Sequence, residues 1–308
     1  MDLSVKIGNL FLKNPILTAS GTFGYGIEYS PFGDLKTLGG IIVKGLSLKP
    51  RTGNPGVRIC ETPCGMLNAI GLENIGVERF IREKLPYLPW RDTAIIANLY
   101  GEDISEFEEL TKIVASREEI AGLEVNISCP NVKKGGILFG QDAKAAAKVC
   151  EAVKKNAKDK TVIIKLSPSV QDITHIAKTV EKAGADAVSL INTIPAMAVD
   201  IYSRTPKLTN VIGGLSGPAI KPIALKMVFD VAQSIDIPVI GMGGISNVED
   251  VFEFILVGAH AVQIGSANFT NPKVSFEIVN KLEDVAKRLN INKISDFRGT
   301  LKRPIKDQ

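Results

Sequence analysis

The sequence predicts a single α/β domain of the (β/α)8 TIM-barrel type, with long loop insertions at the face where the carboxyl ends of the strands meet. Eight short runs rich in Val and Ile are spread along the 308 residues, and most lack the strict alternation of a sheet covered on one side only. Amphipathic segments with helical spacing separate these runs. Three connections, at residues 46–93, 131–160 and 194–237, are far longer than a crossover helix requires.

The elements follow from these patterns. We expect strands at residues 16–20, 40–45, 94–101, 122–130, 161–168, 185–193, 238–244 and 261–268. The clearest helices are expected at residues 103–118, 143–156, 170–183, 220–234 and 248–257, the last behind a capping-box pattern at 246–249. Residues 3–13 have the pattern of a hairpin that could plug the barrel floor. Eight strand–helix units favour a closed barrel over a doubly wound sheet, the structural alternative.

Composition excludes several classes of protein. The chain is 45% hydrophobic and 23% charged, which is ordinary for a soluble globular enzyme. Its net charge of +4 is spread along the chain without a basic run, so we expect no nucleic-acid interface. No apolar run approaches the ~20 residues that span a bilayer, so no membrane association is expected. No linker or low-complexity tract divides the chain, and residues 1–308 are taken as one domain.

The four cysteines, with no signal peptide, indicate a reducing compartment and a cytoplasmic protein. Cys60 and Cys64 lie four positions apart, but no further ligands follow at matching spacing, so we expect no metal site. Cys150 lies inside an amphipathic segment and is interpreted as a buried filler. The two histidines, His175 and His260, lie away from the strand ends and are interpreted as structural.

Polar side chains stand at the ends of the predicted strands. They are Ser20, Lys44, Asn98, Asn126, Lys165, Asn192 and Thr193. Burying such groups without partners would cost roughly 1–3 kcal/mol or more each, so we expect them to face a polar ligand or one another. Either lysine could be a surface residue that happens to end a strand. Inside the mouth, however, both would suit a carboxylate and the negative charge of a reduced flavin ring.

Two glycine-containing segments stand at the ends of the last two predicted strands. Gly243-Gly244 leads into a helix, and Gly265-Ser266 precedes another. Each alone is weak evidence, because ordinary turns also use glycine. In barrels these two loops commonly form a phosphate site together, so the pair predicts one here.

Cys129 stands at the end of the fourth predicted strand, in the motif at residues 126–131. A free cysteine is most often a small buried filler. We favour a proton-transfer role, because residues 132–136 beyond it contain glycines typical of a lid hinge. A thiol with an ordinary pKa near ~8.5 can act as a base if a nearby cation lowers that pKa.

Over essentially its whole length the chain resembles the soluble class of dihydroorotate dehydrogenases. The stretches that carry the resemblance are residues 18–26, 43–45, 68–72, 126–133, 191–193, 213–219 and 241–245. Several such motifs in one order are specific, although no single one is. The resemblance implies oxidation of dihydroorotate to orotate in de novo pyrimidine (UMP) biosynthesis. It assigns Cys129 as the base that removes a proton from C5 while hydride leaves C6 for N5 of FMN.

The resemblance also assigns binding residues. Substrate contacts map to Lys44, Asn68, Ala69, Ile70, Gly71, Leu72, Asn126, Asn192 and Thr193. FMN contacts map to Ser20, Lys44, Gly45, Asn98, Asn126, Lys165, Ile191, Gly217, Gly243, Gly244, Gly265 and Ser266. The membrane-bound class resembles this one but has a serine base and an N-terminal extension, and we expect neither here.

Within the soluble class, the cysteine loop and residues 214–222 resemble the NAD-linked B type. The resemblance implies a homodimer core that binds a partner subunit carrying FAD and a [2Fe–2S] cluster, in a heterotetramer of two of each. No spare thiolate set and no Gly-x-Gly-x-x-Gly turn are present, so a route to NAD must lie in another chain. Cys60 and Cys64 depart from the family pattern, which leaves the redox behaviour of their loop open.

Two alternatives stay open on the sequence. One is a homodimeric relative that passes electrons from FMN to fumarate or a similar small acceptor. The other is a non-redox barrel that binds a phosphorylated metabolite without catalysis.

Overall fold

Eight parallel strands close into a barrel in the computed structural model of the chain, which describes residues 1–127 and 140–302. The strands are, in chain order, β1 (Val5–Ile7), β2 (Leu10–Leu12), β3 (Ile16–Thr18), β4 (Gly40–Ile42), β5 (Ile59–Thr62), β6 (Gly65–Asn68), β7 (Ala94–Leu99), β8 (Gly122–Asn126), β9 (Thr161–Lys165), β10 (Ala187–Leu190), β11 (Ile194–Met197), β12 (Val199–Asp200), β13 (Thr205–Pro206), β14 (Ile212–Ser216), β15 (Val239–Met242) and β16 (Ala261–Ile264). The helices are α1 (Val77–Glu83), α2 (Ile104–Ala115), α3 (Ala143–Asn156), α4 (Ile173–Lys182), α5 (Lys221–Ala232), α6 (Val248–Leu256), α7 (Ala267–Thr270), α8 (Val274–Arg288) and α9 (Ile294–Phe297).

The order of strands around the barrel is β3, β4, β7, β8, β9, β10, β15 and β16. The last pairs with the first, with Val262 opposite Ile16, and this pairing closes the ring. Each of these strands falls within one of the eight predicted strands. The predicted (β/α)8 fold is therefore confirmed, and the doubly wound alternative is wrong.

Sequence explains why these segments form strands. Every residue of β9 is buried, and its Val and Ile side chains pack on both faces of the barrel wall. The five predicted helices are α2 to α6, and α3 has the predicted bounds. Others begin later than predicted because capping residues precede them: Asp172 accepts hydrogen bonds from the N–H groups of Thr174 and His175 before α4.

The capping box of α6 is displaced by one residue from its predicted position. Asn247 is the capping residue, and its side chain accepts from the Asp250 N–H at 2.9 Å. The Asp250 carboxylate accepts in return from the N–H groups of Ser246 and Asn247. Asp250, rather than Glu249, completes the box because it stands three positions after the cap.

The predicted opening hairpin is confirmed as the antiparallel pair β1–β2. The N–H of Asn9 donates to the Thr161 hydroxyl at 2.9 Å, and a Cβ atom at Gly122 would lie 3.1 Å from the Leu10 side chain. Thr161 and Gly122 are the first residues of β9 and β8. The hairpin therefore covers the N-terminal end of the barrel.

Two of the three predicted long insertions build a second sheet, which the sequence did not predict. Its strands lie in the order β11–β14–β6–β5, all antiparallel. Asn68 of β6 is opposite Gly214 of β14, so the insertions after β4 and β10 lock together. The third insertion falls partly outside the described residues. Its described part contains α3.

None of the helices in the described ranges combines the length and apolarity that crossing a bilayer requires.

Candidate active site

A cavity of about 740 Å³ opens at the carboxyl ends of the barrel strands. Every predicted site residue in the described ranges lines it: Ser20, Lys44, Gly45, Asn68, Ala69, Ile70, Gly71, Leu72, Asn98, Asn126, Lys165, Ile191, Asn192, Thr193, Gly217, Gly243, Gly244, Gly265 and Ser266. Cys129 lies outside the described residues. The volume is within the range of roughly 300–1,000 Å³ that small-molecule sites occupy.

The two predicted lysines differ in burial. Lys165 ends β9, opposite Asn126 in β8, and is only 5% exposed. Lys44 follows β4 and is partly buried, with its backbone N–H donating to the Gly24 carbonyl at 2.9 Å. Lys165 is therefore not a surface residue that happens to end a strand. Both lysines line the cavity, so each ammonium can add positive charge to the surroundings of a ligand bound there.

Beneath the cavity, the carboxylate of Glu124 is fully buried inside the barrel. Its Oε2 atom accepts from the Asn98 amide at 2.6 Å and lies 3.8 Å from Nζ of Lys165. Its Oε1 atom accepts from the Gln263 amide at 2.5 Å and from the Ser189 hydroxyl at 2.8 Å. Glu124 therefore links side chains from four neighbouring or facing strands.

Two acceptor atoms at the floor of the cavity are buried without a hydrogen-bond partner among the described residues. They are Oδ1 of Asn98 and Oε1 of Gln263. Both residues line the cavity, so their free carbonyl oxygens are available to a ligand. An unsatisfied buried acceptor costs roughly 1–3 kcal/mol, which a donor on the ligand would recover.

The two predicted phosphate loops lie side by side, because Met242 of β15 is opposite Gln263 of β16. Gly243 and Gly244 both have positive φ, at 130° and 75°. A Cβ atom on Gly244 would come within 2.9 Å of the Gly217 carbonyl oxygen. Close approach of backbone without side chains is the arrangement in which main-chain N–H groups can surround an anion.

The segment 68–72 lies along the cavity and is held by its neighbours. The Asn54 side chain donates to the Ala69 carbonyl at 2.9 Å, and the Asn54 N–H donates to the Ile70 carbonyl at 3.0 Å. Leu72 has φ of 59°, a left-handed conformation that bulky residues rarely adopt. Asn74 stabilises it by donating to the Leu72 carbonyl at 2.9 Å. Such strain is concentrated at functional sites.

On the opposite side, Asn192 and Thr193 follow β10. The Asn192 side chain accepts from the Thr193 N–H at 2.8 Å. A Cβ atom at Gly214 would overlap the Thr193 hydroxyl, so Thr193 packs directly on β14. Asn68 donates to the Gly214 carbonyl at 3.4 Å. The second sheet thus holds residues from both sides of the cavity together.

The remaining cysteines and the histidines lie elsewhere. Cys60 and Cys64 are not among the cavity-lining residues. Cys150 is buried in α3, and burial raises the pKa of its thiol to about 12, as expected for an inert filler. His175 is exposed, His260 is partly buried just before β16, and neither residue lines the cavity. Residues 1–127 and 140–302 contain no cluster of side chains that could hold a metal ion.

These features fit a phosphorylated ligand with a polar ring. The two glycine loops can surround a phosphate with backbone N–H groups, and Lys165 and Lys44 add positive charge. The buried carbonyl oxygens of Asn98 and Gln263 lack hydrogen-bond donors among the described residues. FMN has this combination of a dianionic phosphate, hydroxyl and N–H donors, and a ring that gains negative charge on reduction.

Comparison with known proteins decides the family. The model of the dihydroorotate dehydrogenase family matches residues 2–286. The chain belongs to the dihydroorotate dehydrogenase family. It is 61% identical over 302 residues to a protein of Solidesulfovibrio magneticus named dihydroorotate dehydrogenase B (NAD(+)), catalytic subunit, covering 98% of this chain and 99% of that protein.

Proteins of the same name are similarly close in other organisms. The protein of Maridesulfovibrio salexigens is 60% identical over 304 residues, covering 99% of this chain and 100% of the relative. That of a Thermoanaerobacter species is 52% identical over 302 residues, covering 98% and 99%. The predicted resemblance to the B type within the dihydroorotate dehydrogenase family is therefore confirmed.

Sequence reasoning missed Glu124, Ser189 and Gln263. It considered only the polar residues at strand ends, whereas these three lie within the strands. Ser189 and Gln263 are each the single polar residue of an apolar strand, and Glu124 lies between the apolar Leu123 and Val125. A lone polar residue inside a buried strand must have a partner, and that signal was present in the sequence.

Proposed function

We propose that this chain is the FMN-containing catalytic subunit of an enzyme that oxidises dihydroorotate to orotate in UMP synthesis. The observation that carries the proposal is the convergence of every described candidate residue on one cavity. The names of relatives at 60% and 61% identity support the same reaction.

FMN is the proposed cofactor, bound without a covalent bond. Its phosphate would be held by Gly243, Gly244, Gly265 and Ser266, whose loops lie side by side. The other contacts would come from Ser20, Lys44, Gly45, Asn98, Asn126, Lys165, Ile191 and Gly217. When bound, FMN supplies the acceptor for the hydride that leaves C6 of the substrate.

The substrate would lie against Lys44, whose ammonium can pair with its carboxylate. The amides of Asn68, Asn126 and Asn192 each offer donors and an acceptor, which match the alternating C=O and N–H edge of a pyrimidine-dione. The Thr193 hydroxyl and the loop from Ala69 to Leu72 would complete the contacts.

We assign the removal of the proton from C5 to Cys129. It stands two positions after Ile127, which lines the cavity. The thiolate is the basic form of cysteine, and a neighbouring cation increases its fraction at neutral pH. Proton removal at C5 and hydride loss at C6 together form the double bond of orotate.

A partner subunit with FAD and a [2Fe–2S] cluster would carry the electrons to NAD, in a heterotetramer built on a homodimer of this chain. The name "catalytic subunit" of the relatives supports a separate partner. The absence of a Gly-x-Gly-x-x-Gly turn supports a nicotinamide site elsewhere. Cys60, Cys64 and Cys150 are free thiols, which supports a cytoplasmic location.

The cofactor is tested by denaturing the purified protein and separating the released flavin. We expect one FMN per chain, reduced when dihydroorotate is added without oxygen. A colourless protein that does not take up FMN would contradict the proposal and favour the non-redox, phosphate-binding alternative.

The partner is tested by assay of the isolated chain with dihydroorotate and different acceptors. We expect turnover with an artificial dye and none with NAD, because the relay to NAD lies in the partner. Rapid NADH formation by the pure chain would contradict the partner subunit. Rapid fumarate reduction would instead favour the homodimeric, fumarate-linked alternative.

A further inference from the structure

The Glu124 carboxylate is the centre of the polar layer beneath the cavity. It is fully buried on β8, and its contacts come from Asn98 on β7, Lys165 on β9, Ser189 on β10 and Gln263 on β16. The proposed chemistry gives it no direct contact with substrate, and it is not among the residues that line the cavity. A carboxylate this deeply buried is costly unless its partners compensate it.

Chemistry fixes the orientation of the two amides that contact Glu124. An ionised carboxylate only accepts hydrogen bonds, so Asn98 and Gln263 must present their NH₂ groups to it. Their carbonyl oxygens then point away from Glu124. Both oxygens are buried, and neither has a partner in the described part of the chain. The carboxylate therefore determines that the cavity floor presents acceptors rather than donors.

We propose that Glu124 is a positioning residue for the bound flavin and that Gln263 is a further flavin-binding residue. Glu124 directs the oxygens of Asn98 and Gln263 to donor groups of the flavin, its hydroxyls and ring N–H. It also holds the Lys165 ammonium at the floor of the cavity, 3.8 Å away. This inference rests on the proposed function, because the bound group is taken to be FMN.

The charge of Glu124 has a second consequence. Its negative charge partly offsets that of Lys165 and disfavours further negative charge nearby. Reduction of the flavin adds negative charge to the ring. Glu124 therefore lowers the affinity for reduced flavin relative to oxidised flavin, which makes the reduction potential more negative.

The test is Glu124→Gln, which keeps the size of the side chain. Asn98 and Gln263 donate to different oxygens of Glu124, Oε2 and Oε1. A glutamine side chain has its acceptor oxygen on one side and a donor NH₂ group on the other, so it cannot accept from both amides in this geometry. One of those amides must turn its NH₂ group toward the cavity. We expect the dissociation constant of FMN, measured by fluorescence titration of the apoprotein, to rise at least tenfold.

The reduction potential of the bound FMN provides a readout that a purely structural role would not change. Loss of the charge in Glu124→Gln should raise the ratio of the affinity for reduced flavin to that for oxidised flavin about tenfold. For a two-electron couple this change corresponds to a shift of ~30 mV to less negative potential. Glu124→Asp keeps the charge, so the potential of its bound FMN should stay closer to that of the wild-type protein than the potential of Glu124→Gln does. The matched control is Ser189→Ala, which removes one hydrogen bond to the same carboxylate but leaves its charge and both amides. Its affinities for oxidised and for reduced FMN should each change less than twofold, so its potential should stay close to that of the wild-type protein.

A second variant tests Gln263 and remains informative if Glu124→Gln does not fold. Gln263→Met has a similar length but no acceptor oxygen, so FMN affinity should fall while the potential shifts less than in Glu124→Gln. Wild-type FMN affinity in Gln263→Met would overturn the assignment of Gln263. Lower stability in Glu124→Gln with unchanged FMN affinity and potential would overturn the positioning role.

These outcomes are separate from those of the proposed function. If dihydroorotate reduces the wild-type flavin while the Glu124 variants keep its affinity and potential, only the inference fails. If dihydroorotate does not reduce the flavin but the variants shift affinity and potential as expected, only the proposed function fails. A wild-type protein that binds no FMN contradicts both.

Discussion

A Cβ atom at Gly244 would lie 2.8 Å from Cβ of Lys221, closer than two side chains can approach. The loop after β15 and the start of α5 therefore meet at a separation that only glycine allows. Lys221 cannot easily move away, because its ammonium contacts Asp250 at 2.6 Å and Glu253 at 3.1 Å. These contacts raise the pKa of Lys221.

The first prediction is that Gly244→Ala weakens FMN binding. The added methyl group must displace the loop, and φ of 75° is strained for alanine, at a cost of roughly 1–3 kcal/mol. If half of this cost falls on binding, the dissociation constant rises about two- to tenfold, since tenfold corresponds to ~1.4 kcal/mol. Fluorescence titration of the apoprotein with FMN measures it.

Gly184→Ala is the matched control. Gly184 also has positive φ, 93°, but the nearest atom to its Cβ position is Cγ of Lys154 at 3.8 Å, and it does not line the cavity. It should lose about 1 kcal/mol of stability with unchanged FMN affinity. Unchanged FMN affinity in Gly244→Ala as well would remove Gly244 from the phosphate cradle.

The second prediction concerns Cys129 as base. Cys129→Ser keeps the shape but has a far higher hydroxyl pKa, so flavin reduction by dihydroorotate should slow by ~10²–10⁴. The difference in reduction rate between Cys129→Ser and the wild-type protein should become smaller as the pH rises. The affinity for orotate should change little. Stopped-flow reduction without oxygen measures the rate. Cys64→Ser, an exposed cysteine that does not line the cavity, should keep the wild-type rate. A near-normal rate in Cys129→Ser at neutral pH would exclude the role.

The third prediction separates the two lysines. Lys165→Met leaves the Glu124 carboxylate buried without its ammonium partner, so the free energy of unfolding should fall by about 3 kcal/mol. This value is the lower end of the usual range for breaking a buried ion pair, because Nζ and Oε2 are a long 3.8 Å apart. Lys44→Met, at a partly buried position, should change stability by less than about 0.5 kcal/mol but raise KM for dihydroorotate. Urea unfolding and steady-state kinetics with a dye measure both. Equal losses of stability in the two variants would contradict this division of roles.

The fourth prediction is a loss of stability in acid that depends on His260. Burial lowers the pKa of His260 to about 4, and the nearby charge of Arg298 adds to this effect. The unfolded chain binds the proton near pH ~6.5, whereas the folded chain does so only near pH 4. His260 therefore favours folding fully above pH ~6.5, and stability falls as the pH drops toward 4, by ~3 kcal/mol in all.

Urea unfolding at pH ~7.5 and ~4.5 tests this pH dependence. His260→Gln should lose less stability between the two pH values than the unchanged protein does. His175→Gln replaces the only other histidine, which is exposed on α4, and should keep the wild-type dependence. An identical pH dependence in the His260 variant would show that another group causes the acid loss.

The barrel could be predicted from the sequence, but its second sheet could not. Parallel strands buried on both faces are continuous apolar runs, so β9 and its neighbours stand out. Two strands of the second sheet, β5 and β11, alternate between partly buried and exposed residues, and most residues of β6 and β14 are only partly buried. Their partners are distant in sequence, for example Asn68 and Gly214. Pairing over such a separation leaves no local pattern.

The candidate site, like the fold, could be predicted only in part from the sequence. Residues near strand ends, such as Lys165 and Asn98, could be predicted as site residues because the carboxyl ends of barrel strands meet at one face. Their connection through Glu124 could not be predicted from strand ends, because it depends on which side chains meet across the barrel interior. The predicted strands also extended beyond the observed ends, for example to residue 168 where β9 ends at Lys165, because Leu166 continues the apolar run past the last residue of the strand.

The β1–β2 hairpin lies at the end of the barrel opposite the cavity, and its Phe11 side chain is 72% exposed. A linker attached at residue 11 would therefore tether the protein by its floor. On a conducting surface, such a tether would orient every molecule with its mouth toward the solution. Soluble molecules could then reach the cavity from the solution, while direct contact between the cavity and the electrode would be prevented by the thickness of the barrel.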